Sequence, residues 1–157
     1  MIRVGIVGSR DWPDPARVHA FVQALALKYP DAIVISGGAK GVDWSAENAA
    51  RGCGLGTIVY RPVCFEALEE YGGGNQWYTE TLTTGEAAQG FVVDKSRRIN
   101  PPTYKTFAAC AKARNSWIVA DSEQVVAFWD GSSRGTADTI RKAKEAGRPC
   151  WVYGVTE

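Results

Sequence analysis

The sequence predicts a single α/β domain built on a parallel sheet of about five strands, with helices on both faces and one long insertion. Two observations predict it. Short apolar runs alternate along the chain with segments of helical spacing. Several of those runs end in glycine- and serine-rich turns, as buried parallel strands do before their βα loops.

The elements follow in order. Ile2 to Val7 is an apolar strand ending at Gly8-Ser9-Arg10. Asp14 before Pro15 reads as a helix cap and a first helical residue, and Val18, Phe21, Val22 and Leu25 continue at helical spacing until Pro30 closes the segment. Ala32 to Ile35 is a second strand, ending at Ser36-Gly37-Gly38-Ala39-Lys40-Gly41. A second helix puts Val42, Ala46, Ala49 and Cys53 on one face and stops at Gly54. Thr57 to Tyr60 is a third strand, ended by Arg61-Pro62.

The alternation then stops. From Phe65 to about Tyr104 the chain holds Gly72-Gly73-Gly74, Lys95-Ser96-Arg97-Arg98 and Pro101-Pro102, a stretch too long for a compact connection. It reads as an elaboration of the domain: a lid, a subunit contact, a nucleic-acid patch or a mobile solvated loop. Tyr104 to Ala120 returns to helical character, and Gln124 to Trp129 is a fourth strand ending at Asp130-Gly131-Ser132-Ser133-Arg134-Gly135-Thr136. A helix with Ala137, Ile140, Ala143 and Gly147 inward leads to the last strand, Cys150 to Tyr153. Right-handed crossovers give a Rossmann-like sheet of order 3-2-1-4-5, whose switch point lies between the first and fourth strands.

Charge and cysteine usage narrow the function. Eighteen basic against seventeen acidic side chains give a formal charge of +1, whereas proteins that track a nucleic-acid backbone usually carry a basic excess. Nucleic acid is therefore not expected as a partner. Cys53, Cys64, Cys110 and Cys150 are far apart with no C-x-x-C pair, and His19 is the single histidine. That pattern predicts reduced thiols and no metal site. No apolar run reaches the roughly 18 residues that span a membrane, and the N-terminus enters a strand directly, so a cytoplasmic protein is expected.

Three loops share one sheet edge and carry the chemistry. Gly8, Ser9 and Arg10 follow the first strand; Ser36, Gly37, Gly38, Lys40 and Gly41 follow the second; Asp130, Gly131, Ser132, Gly135 and Thr136 follow the fourth. Glycine lets a backbone approach a ligand closely, and unpaired amides at a helix start favour phosphate. Ser9, Ser36 and Thr136 add hydroxyls, while Arg10, Lys40 and Arg134 add positive charge. Trp12 and Trp44, directly after two of the turns, are candidates for stacking on a base. Neither the G-x-G-x-x-G fingerprint nor a G-x-x-x-x-G-K-[ST] loop is present, so a dinucleotide dehydrogenase and a P-loop NTPase are poor matches.

Val7-Gly8-Ser9-Arg10, Ser36-Gly37-Gly38-Ala39-Lys40-Gly41-Val42-Asp43, Arg114-Asn115 and Gly131-Ser132-Ser133-Arg134-Gly135-Thr136 occur in that order. The set resembles the SLOG superfamily near its YspA/YpsA-related branch, over residues 1–64 and about 105–154. The resemblance implies a Rossmann-like fold binding a nucleotide or nucleotide-derived ligand such as an ADP-ribose relative, and adds Asp43, Arg114 and Asn115 to the ligand set. It also implies a comparison with the lonely-guy phosphoribohydrolases, whose glutamate position is taken here by Thr139 and whose arginine is matched by Arg114. Threonine has no carboxylate to stabilise a ribosyl cation. The leading expectation is thus a cytoplasmic, homo-oligomeric protein that senses or sequesters a nucleotide-type small molecule, without a cofactor or a membrane. A phosphoribohydrolase comes second. A DNA-binding module like the DNA-processing protein A branch comes third, because the charge balance argues against it.

Overall fold

Apolar side chains alternate along the strands, and this alternation decides which helices each face receives. Val4, Ile6, Val34, Val126 and Phe128 point to one side; Val7, Ile35, Val125 and Ala127 point to the other. The computed structural model describes residues 2–64, 75–82 and 104–155. Its strands are β1 (Arg3–Gly8), β2 (Ile33–Ser36), β3 (Gly56–Cys64), β4 (Asn75–Leu82), β5 (Gln124–Phe128) and β6 (Cys150–Tyr153). They form one sheet in the order β4-β3-β2-β1-β5-β6. All neighbours are parallel except β3 and β4. The five parallel strands thus keep the expected order.

Helices α1 (Pro15–Lys28) and α2 (Val42–Gly52) cover the first face, with Val18, Val22, Val42, Ala46 and Ala50 in its core. Helices α3 (Phe107–Asp121) and α4 (Arg134–Glu145) cover the second, contributing Cys110, Ile118, Val119, Ile140 and Ala143. Each start is set locally. Asp14 accepts the Arg17 amide ahead of Pro15, Thr106 accepts the Ala109 amide, and Ser133 accepts the Thr136 amide, which satisfies amides that a helix leaves without partners. Among the described residues no helix is long and apolar enough to cross a membrane, and Cys53, Cys110 and Cys150 are free thiols.

The sheet departs from the sequence reading at one edge. Strand β3 does not stop at Arg61-Pro62 but runs to Cys64, and β4 lies inside the segment read as irregular. The register of β2 with β3 ends at Ser36↔Val59, whereas β4 pairs with β3 as far as Cys64↔Asn75. Pro62 therefore sits where only one strand flanks it, a position that tolerates a missing amide. The β4 sequence, NQWYTETL, alternates about buried Trp77 and Thr79, and Trp77 packs against Tyr60 at 5.7 Å and Trp117 at 5.3 Å between ring centroids. This part of the segment is an integral edge of the sheet. The glycine triplet and the basic run lie outside the described residues.

Candidate functional site

Leaving β1, the chain turns toward β2, while β5 lies on the other side of β1. The loops after β1 and β5 therefore part, and a cleft of about 810 Å³ opens between them, at the switch point where open α/β sheets bind ligands. Two glycines bring its walls together. A Cβ on Gly8 would stand 2.4 Å from the Phe128 carbonyl oxygen and 2.5 Å from a Val42 methyl group. Gly41 has φ +84°, and a Cβ there would stand 2.4 Å from the Arg10 carbonyl oxygen. No side chain fits at either position, so the β1 loop lies directly on the start of α2.

Nine predicted residues line the cleft: Gly8, Arg10, Asp43, Arg114, Asn115, Asp130, Ser132, Gly135 and Thr136. The others build its loops. Ser9 is buried, its hydroxyl accepting the Asp130 amide at 3.0 Å, and the Ser36 hydroxyl accepts the Gly38 amide at 3.4 Å. The Gly37 carbonyl accepts Arg114 Nη1, the Gly38 carbonyl accepts Trp44 and Arg61, and Gly131 supplies a positive-φ turn. Lys40 lies over the Trp44 ring. Trp12 is corrected as a stacking candidate: it is buried in the core against Phe128, and its indole N–H donates to the Asp14 carbonyl.

Arg114 and Asn115 act first as ties between elements. Arg114 donates to the Gly37 carbonyl, to the Tyr60 carbonyl at 3.1 Å and to Asn115 Oδ1 at 3.0 Å. Asn115 donates to Asp138 at 3.1 Å and to the Gly135 carbonyl at 3.3 Å. The pair thereby joins α3 to the ends of β2 and β3 and to the start of α4. Thr139 donates its hydroxyl to the Gly135 carbonyl at 3.1 Å.

The acids of the cleft are mostly answered by their own surroundings. Asp130 accepts the Ser132 and Ser133 amides, each at 2.9 Å, which hold its carboxyl down to about 2. Burial pushes Asp138 up, but hydrogen bonds from Lys142, Asn115 and Arg141 outweigh it and leave the carboxyl below its usual range. Burial raises Asp43 to about 6 against the opposing charge of Arg114. Arg10, Lys112 and Arg134 are exposed around the same cleft and pair with no acid among the described residues. The amides of Arg134 and Gly135, the first two of α4, likewise find no acceptor among those residues. Such amides at a helix start, with cations beside them, are suited to an anion.

Several lining residues escaped the sequence reading: Asp11, Lys112 and the small residues Ala108, Ala109 and Ala111. Ala108, Ala111, Lys112 and Asn115 follow at i, i+3, i+4 and i+7, so one helical face projected back from Asn115 finds most of them. Among the described residues no group of three or more His, Cys, Asp or Glu could hold a metal ion.

A protein-family model described as DNA recombination-mediator protein A matches residues 1–156. No curated protein matches the chain. Two solved structures resemble its fold. One is DNA processing protein A from Helicobacter pylori, described for its single-stranded DNA binding mode, at TM-score 0.63 and 23% identity over 96% of this chain. The other is DNA processing protein A from Streptococcus pneumoniae, at TM-score 0.66 and 22% identity over 97% of this chain. The chain spans 64% and 50% of their lengths.

These matches correct the sequence reading. A DNA recombination-mediator model over nearly the whole chain overturns the nucleotide sensor, the phosphoribohydrolase and the ADP-ribose-type ligand, and with them the exclusion of nucleic acid. The SLOG-like fold stands, but the branch is the DNA-processing one, not the YspA/YpsA-related one. The physical reason is that amides and cations suited to a nucleotide phosphate are equally suited to the phosphates of a strand. The loops point to phosphate without fixing the size of the molecule that carries it.

Proposed function

The chain belongs to the DNA recombination-mediator protein A family, and on that ground we propose that it binds single-stranded DNA through the cleft between β1 and β5. The observation that supports this best is the convergence of two acceptor-free amides at the start of α4 with the exposed cations Arg10, Lys112 and Arg134. A backbone phosphate seated on the Arg134 and Gly135 amides meets the positive end of the helix dipole. The neighbouring phosphates then fall to the cations at the rim, and Ala108, Ala109 and Ala111 leave a smooth wall for sugar and base. A cleft of about 810 Å³ has the volume of a small-ligand site. It admits one or two nucleotides of a flexible strand and not a duplex. The role is one of binding, and we assign it to the cytoplasm.

Fluorescence anisotropy with labelled oligothymidine and a matched duplex, between 50 and 200 mM salt, tests the proposal. The single strand should bind more tightly, with an affinity that falls with salt by a log–log slope of about −0.7 for each phosphate neutralised. Arg134→Ala should weaken binding and flatten that slope by about 0.7. Equal binding of duplex and single strand, or an Arg134→Ala variant with an unchanged slope, would refute it.

A further inference from the structure

Trp44 takes no part in either core cluster and is 45% exposed, yet its ring is held in place. The indole N–H donates to the Gly38 carbonyl at 3.0 Å, and the same carbonyl accepts Arg61 Nη1 at 2.9 Å. The Lys40 ammonium lies over the ring, 6.0 Å from its centroid. The first turn of α2 therefore presents a large aromatic surface to water, in a fixed orientation and with a cation of the β2–α2 loop on it. Neither core packing nor the geometry of the turn requires that surface.

Its position gives it an occupant. Ala39 and Asp43, the residues beside Lys40 and Trp44 in sequence, line the cleft, and the ring is tied to Gly38 of the β2–α2 loop, so it lies next to the cleft and outside its lining. Resting on the reading that this cleft holds single-stranded DNA, we infer that Trp44 stacks a base of the strand where it leaves the cleft, with Lys40 meeting that nucleotide's phosphate. Every nucleobase offers a π-face, so the contact is sequence-tolerant. The ammonium is already attracted to the ring, which stations it where the phosphate of a stacked nucleotide needs a counter-charge. The hydrogen bond to Gly38 removes most of the ring's freedom before binding, so little ordering remains when the base arrives.

The test compares a labelled thymidine dinucleotide, the length that the cleft itself holds, with an oligothymidine of about 16 nucleotides, the upper end of common single-strand site sizes, on the whole chain. Trp44→Ala should weaken the longer strand about 5- to 150-fold, the equivalent of about 1–3 kcal/mol for one stacked base, and leave the shorter one within about twofold. Trp44→Phe should retain most of the affinity. A long strand made abasic beyond its first two nucleotides should bind wild type as weakly as the intact strand binds Trp44→Ala. Circular dichroism and thermal unfolding check the variants. If Trp44→Ala does not fold, Trp44→Phe and the abasic strand carry the comparison. Long-strand binding by Trp44→Ala within about twofold of wild type, with Arg134→Ala still defective, overturns the stacking site and leaves the cleft reading standing. If wild type binds neither strand, both fall.

Discussion

Asp43 and Glu47 lie one turn apart on the buried side of α2, only 5% and 4% exposed, and Asp43 Oδ1 and Glu47 Oε1 have no hydrogen-bond partner among the described residues. Burial is the main cause of a raised carboxyl in both. Asp43 reaches about 6 against the pull of Arg114, and Glu47, pushed further by Asp43, reaches about 8. The folded protein therefore holds protons that the unfolded chain has released. Stability from this pair is complete below the ordinary carboxylate range and is lost as pH rises through 6 and 8. For Glu47 the change from 4.5 to about 8, at about 1.4 kcal/mol per unit, is on the order of 5 kcal/mol. About 3–4 kcal/mol of that falls between pH 5 and pH 8 by linkage, a large share of a typical domain stability. Urea unfolding at pH 5, 6, 7 and 8 and constant ionic strength measures it. Wild type should lose stability across the series. Glu47→Gln, which cannot ionise, should lose little above pH 6 and be the more stable protein at pH 8. A wild-type stability that is flat or rising from pH 6 to 8, or a Glu47→Gln variant with the full decline, would refute the reasoning.

Two further outcomes follow from the packing. A Cβ on Gly135 meets nothing within 4 Å, and the residue lines the cleft, so Gly135→Val should block oligothymidine binding while shifting unfolding by no more than about 1 kcal/mol; unchanged affinity by titration would move the binding site elsewhere. Gly38→Val is a poorer probe, because φ is +71° and its Cβ would stand 2.9 Å from Arg61, so strain would mix with lost binding. Trp77→Ala should cost about 3–5 kcal/mol, the usual range for emptying a large aromatic site, since Trp77 is 1% exposed between Tyr60 and Trp117; a loss under about 1 kcal/mol in denaturant unfolding would show that β4 is dispensable.

Much of the fold was legible because its signals are local. Asp14-Pro15 starts α1 where a cap and a fixed φ predict, and Cys150 to Tyr153 is β6 to the residue. The order of the five parallel strands follows from the handedness of their connections. Strand β4 was not legible, because its partner lies on the far side of β3 and its own residues are half polar. Tyr78, Thr79 and Thr81 read as a loop until Trp77 is seen to close the core. In the site, the loops that follow strands could be found from glycine and serine alone. The α3 wall could not, since Ala108 and Ala111 are unremarkable in sequence and become lining only when Arg114 and Asn115 pin α3 across the strand ends.

The neutral charge balance misled the reading for a reason that the site itself explains. A formal charge counts every carboxylate as one negative charge facing outward, whereas a strand responds to the charges that remain unanswered at one surface. Asp138 is enclosed by Lys142, Arg141 and Asn115, and Asp130 is enclosed by two amides of its own loop. Glu47, held near 8, is largely protonated at neutral pH, although the formal sum counts it as ionised. Arg10, Lys112 and Arg134 have no such answer. The rim therefore offers a phosphate three unanswered cations beside one exposed carboxylate, Asp11, whatever the sum over the chain.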